Sequence, residues 1–241
     1  MYRMLEPDKI IATAAQLDRR VRERFPDSGL SEIATEFVAM ANNVAAVANY
    51  VAAPHRAMRI VVGGALFLLG AVSLIAVAVI DLRTEAFSTL SDFAQGLEAL
   101  ISDMVFIGVA VFFLLSAEDR IKRKRALAAI RELRAIAHII DMHQLTKDPE
   151  RFEGRGPDTA SSPERHLTAF ELTRYLDYSS ELLALISKLA ALLIQGFDDA
   201  VTLSAVNEIE DLTAGMSRKI WQKITIVDRF VPVAAERARG D

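Results

Sequence analysis

The segment HIIDMHQLTKDP, residues 138–149, gathers the side chains in this chain best suited to hold a metal ion. His138, Asp141 and His143 are imidazole and carboxylate ligands within six residues of one another. On a helix, Arg134, His138 and Asp141 fall at i, i+4 and i+7 and share one face, with Arg131 beside them. His143 points elsewhere unless the helix ends there. A metal would need a third ligand, either His143 after a helix break or His166 from further along the chain. His-x-x-Asp alone is a weak motif. The plain alternative is a polar face stitched by Arg134–Asp141 and His138–Asp141 contacts, each worth about 0.2–0.5 kcal/mol. The three residues therefore stand as weak metal candidates, and no cofactor is expected.

Other chemistries find less support. Cysteine is absent, which removes disulfides, thiolate zinc sites and thiol nucleophiles. Gly154-Arg155-Gly156 has neither the preceding strand nor the GxxxxGK[ST] spacing of a phosphate loop. No serine elbow is present. The formal net charge is −4, so no overall basic character points to nucleic acid. Arg218, Lys219, Trp221 and Lys223 cluster near a helix end, where basic stems around a tryptophan read as a snorkelling edge. The expectation is a non-enzyme with no nucleic-acid partner.

The elements that would carry these residues are helical. Ala and Leu dominate and β-branched alternation is almost missing, so the chain reads as all-α. Two apolar runs stand out. Met58–Ile80 holds no charge after Arg59, and at 1.5 Å per residue it is long enough for a bilayer core of about 30 Å. Met104–Ala117 is shorter, reaching about 21 Å, and spans only by borrowing Leu100 and Ile101 with Asp103 at the interface. Together they predict a membrane helical hairpin of two transmembrane helices, residues 56–120. Gly63 and Gly70, and Gly64, Ala71 and Ala78, recur seven apart and would let another helix approach closely, with Gly108 and Ala110 as the facing residues. Between the runs, Phe87, Leu90, Phe93, Leu97 and Ile101 predict a short amphipathic helix over 84–101.

Basic residues set the expected orientation. Arg56 and Arg59 precede the first run, and Arg120, Lys122, Arg123, Lys124 and Arg125 follow the second. The positive-inside rule then places both termini in the cytoplasm and the stretch between the two runs outside. The same side chains could bind anionic lipid headgroups, at about 1 kcal/mol each near the surface.

The flanks predict a cytoplasmic helical bundle. Residues 1–55 read as a helical pair: Ile10, Ala14, Leu17 and Val21 form one stripe, Ile33, Phe37, Met40 and Val44 the other, with Pro26–Gly29 as the turn. Residues 121–150 extend the second apolar helix. Residues 151–163 read as a flexible loop, and Ser161–Glu164 has capping-box spacing for a helix that follows. Residues 164–231 predict an antiparallel helical hairpin broken at Gly196, and 232–241 a frayed tail. The expected partners are the lipid bilayer and a second copy or another protein on the bundle.

The stretches ELRAIAHIIDMHQLTKDP, LTRYLDYSSELLALISKLAALL and AVNEIEDLTAGMSRKIWQKI resemble a family of uncharacterised bacterial proteins with two membrane spans. The resemblance covers most of the chain and implies an inner-membrane location but no activity. The reading is a scaffold or regulatory subunit working through its helical bundle. Alternatives are an oligomeric two-span pore or effector, and a metal-dependent enzyme at His138 and Asp141.

Overall fold

The computed structural model describes residues 4–54, 56–81, 90–147, 149, 160–161 and 167–240. For 56–59, 73–74, 76–81, 90, 92–93, 99–100, 103, 114–115 and 230–240 it describes the backbone only. All the regular structure among these residues is helical: α1 Pro7–Arg24, α2 Gly29–Ala52, α3 Arg56–Asp81, α4 Leu90–Leu145, α5 Ala169–Leu192 and α6 Ala200–Gly240. The chain divides into two compact units. One comprises Met1–Ala52 with Arg123–Asp241, the other Ala53–Lys122.

The first unit is a bundle of α1, α2, the last part of α4, α5 and α6. Pro7 opens α1, where its missing N–H costs nothing. The turn after α1 is closed by Ser28, whose hydroxyl accepts from the Ser31 amide at 3.2 Å and donates to the Phe25 carbonyl at 2.9 Å. α1 and α2 lie side by side and both pack on α5, which also pairs with α6. Asp18, buried on α1, accepts from Thr35 of α2 at 2.9 Å and pairs with Arg22 at 2.6 Å.

α5 is the centre of the bundle. Twelve of its 24 residues are buried, from Leu172 to Leu192. At about 100° per residue they cover roughly 200° of its circumference, twice the stripe of an ordinary surface helix. Leu176, Leu183 and Ile186 lose all contact with solvent, and α4 brings Leu133, Ala137 and Ile140 into the same core. The buried Ser179 donates to the Tyr175 carbonyl at 2.9 Å, so its hydroxyl costs the core little. Burial also pushes the Tyr175 phenol up to about 12.

Several sequence expectations are corrected. Among the described residues no helix is long and apolar enough to cross a membrane, so the two-transmembrane hairpin is withdrawn. On α4 the run from Met104 to Ala117 reaches about 21 Å, short of a bilayer core, and Glu118, Asp119 and Arg120 follow at once. The amphipathic helix expected over 84–101 is no separate element where it is described. α4 begins at Leu90 and continues through Asp103 without a break, while 82–89 lie outside the described residues.

The helix after the 151–163 stretch, most of which lies outside the described residues, starts at Ala169 rather than near Pro163. Its capping box is Thr168 with Glu171: the Thr168 hydroxyl accepts from the Glu171 amide at 3.2 Å, and the Glu171 carboxylate accepts from the Thr168 amide at 2.8 Å. The Thr168 amide, together with the Thr168 hydroxyl that donates to the same carboxylate oxygen at 2.8 Å, holds the Glu171 carboxyl below its usual range. α6 carries on through Pro232 to Gly240, where a frayed tail was expected. The run AAERAR supplies strong helix formers there, against the amide bond and the ring crowding on the preceding turn that Pro232 costs.

α6 is anchored at its start by Asp199. Its carboxylate accepts from the Thr202 amide at 2.9 Å and hydroxyl at 2.8 Å, and from Arg123 Nε of α4 at 2.8 Å. Burial pushes this carboxyl up, but the Arg123 and Thr202 donors outweigh burial and hold it below the ordinary range. Asp199→Ala is expected to cost about 2 kcal/mol, seen as a lower urea midpoint. A depressed carboxyl contributes its full stability above the unfolded value of about 3.9 and loses it as pH falls through the lower folded value. Wild type and variant should therefore begin to converge in stability as pH falls below about 4. A gap that persists unchanged at pH 3 would show that the carboxylate charge contributes nothing.

Candidate functional site

The sequence-selected polar residues do not converge. His138 is exposed on α4, and Asp141, half-buried, accepts from Gln144 Nε2 at 3.3 Å. Arg134 turns to α6 and pairs with Glu208 at 2.6 Å instead of Asp141. The His143 imidazole sits on the first residue of α2. A β-carbon at Gly29 would collide with this ring, so the approach needs glycine or a shift of the imidazole. Among the described residues no group of three metal-ligating side chains is present, and His166 lies outside them.

The basic cluster is largely engaged within the protein. Arg120 lies 5.1 Å from the centre of the Phe113 ring, and Lys122 is buried and paired with Glu118 at 2.8 Å. Arg123 holds Asp199, and Arg125 stacks 3.8 Å from the Tyr50 ring centre. Lys124 is exposed. The side chains of Arg56 and Arg59 lie outside the described residues. In the 218–223 stretch, Trp221 is exposed and Lys223 donates to the Gln144 carbonyl at 2.8 Å.

What the second unit does present is apolar. Ile60 is 73 % exposed, Phe67 79 % and Phe106 74 %, and Leu68, Met104 and Phe112 are also open. At about 100° per residue, the exposed positions 60–75 of α3 cover roughly 200° of its circumference, and those at 97–113 of α4 cover a similar arc. From Ile60 to Val72 no polar side chain interrupts the surface. Gly63, Gly64, Gly70 and Gly108 lie on it with open space beside each, so the expected seam against Gly108 is not closed within the described residues. Ala71 is half-buried, and the side chain of Ala78 lies outside the described residues.

Compared with known proteins, the chain matches no family model, no curated protein and no solved structure. Its reading rests on its own chemistry. The features that sequence reasoning passed over are the Arg123–Asp199 clamp and the link between the N-terminal segment and Gln195. The first had a signal, since Asp-x-x-Thr at 199–202 is a helix-start pattern. The second joins residues 190 apart and had none.

Proposed function

We propose that the chain is a non-enzymatic scaffold or regulatory subunit. The Ala53–Lys122 unit attaches it to a lipid surface, and the helical bundle is the part offered to a protein partner. The observation that carries this reading is the apolar arc on α3 and α4. Monomeric soluble proteins seldom expose contiguous apolar patches above a few hundred Å², and a helix facing a protein core needs an apolar stripe of only about 100°. An arc twice that wide suits a surrounding apolar medium better than a single partner helix. The reading requires no crossing of the bilayer.

Flotation of the full chain with neutral lipid vesicles tests it. The protein is expected to rise with the vesicles and to stay with them in high salt, because Lys122, Arg123 and Arg125 already have partners in the chain. A chain that remains monomeric in the dense fraction without detergent would overturn the reading.

A second reading, self-association of the same surface, is favoured by the open space at Gly63, Gly64, Gly70 and Gly108. It expects a solubilised mass that is a multiple of 26.5 kDa, lowered towards the monomer by Gly63→Leu with Gly70→Leu. A strict monomer in mild detergent would remove it.

A further inference from the structure

We propose that a cleft between the N-terminal segment and α5 binds the chain of an anionic amphiphile, a medium- or long-chain carboxylate. The cleft has a volume of about 440 Å³, within the range of small-molecule sites, and Met4, Leu5, Ile10, Ala184 and Leu185 form its apolar lining. Its outer wall is fixed by one side chain. The Leu5 amide donates to Gln195 Oε1 at 2.7 Å, and Gln195 Nε2 donates back to the Leu5 carbonyl at 3.1 Å. The backbone of the wall is held while Met4 stays 63 % exposed, an unbranched side chain able to fold over a bound alkyl chain.

The charges at the rim choose the headgroup. Glu6 is paired with Lys9 at 2.8 Å. Glu181 is taken by Arg20 in a two-pronged contact at 2.8 and 3.2 Å. Lys188 donates to the Ala184 carbonyl of its own helix at 3.2 Å and has no carboxylate partner among the described residues. Of the charged residues lining the cleft, it is the cation left to meet an anion. An alkyl chain on the apolar floor with its carboxylate at Lys188 satisfies both halves of the cleft.

The test uses the full chain on neutral vesicles, photolysed with laurate carrying a diazirine at its chain end and, separately, with the matching alcohol. Adducts are mapped by mass spectrometry. The carboxylate is expected to label residues 4–13 and 181–188. Lys188→Glu should lower that labelling about tenfold, the loss of roughly one ion pair, and change alcohol labelling by less than about twofold. Ala184→Trp, at an exposed position that projects into the cleft, should abolish labelling there by both probes. Labelling confined to residues 53–122, cleft labelling that survives Ala184→Trp, or equal loss of both probes in Lys188→Glu would each overturn the proposal.

Discussion

Ile186→Ala is expected to destabilise the bundle by about 2–5 kcal/mol, enough to unfold a marginal domain. Ile186 has no solvent exposure and sits on α5 in the core that α1, α2, α4 and α6 share. Removing its side chain loses the transfer energy of three carbons and leaves a void. A helix hemmed in on so many sides cannot move to close that void without opening another contact. The effect is read from urea unfolding followed by circular dichroism. Leu203→Ala is the comparison, an exposed position on α6 where the change should stay within about 0.5 kcal/mol. Equal effects at the two positions would mean that α5 is not the centre of the core.

Phe67→Asp combined with Phe106→Asp is expected to lower vesicle binding by about 10²–10⁴-fold. Burying one phenylalanine side chain contributes about 1.5–3 kcal/mol, so losing two removes about 3–6 kcal/mol before the cost of seating two carboxylates is added. Both side chains are largely exposed in the described structure, so no core contact is lost and the urea midpoint of the bundle should not change. Flotation against lipid concentration measures the first quantity and urea unfolding the second. Undiminished flotation would exclude this apolar arc as the lipid contact.

Much of the bundle was legible because its helices announce themselves locally. Ile10, Ala14, Leu17 and Val21 on α1, and Ile33, Phe37 and Val44 on α2, are the stripe residues that spacing selects, and all are buried. The widening apolar face of α5 from Leu182 onward likewise marks the element surrounded by others. Where two local signals competed, spacing alone could not choose. Ser161-x-x-Glu164 and Thr168-x-x-Glu171 are equally good capping boxes, and the helix uses the second. The fate of the polar residues was not legible at all. Arg134 meets Glu208, and Arg123 meets Asp199, across 74 and 76 residues of chain, and helical periodicity carries no information about such distant partners. Charge counting treated the 120–125 run as an outward-facing patch, yet much of it is spent on Glu118, Asp199 and two aromatic rings. Length and hydropathy marked two spans, and no helix among the described residues bears either out.

The bundle is assembled from both ends of the chain, with Ala53–Lys122 between its halves. Arg20 finds Glu181 only 161 residues later. At a synthesis rate of about 5–20 residues per second, α1 and α2 leave the ribosome on the order of 10–30 s before α5 exists to cover them. During that interval the faces of Leu17, Leu30 and Phe37 that later meet α5 have no native cover. The two halves must then close over a long intervening segment before the core becomes dry.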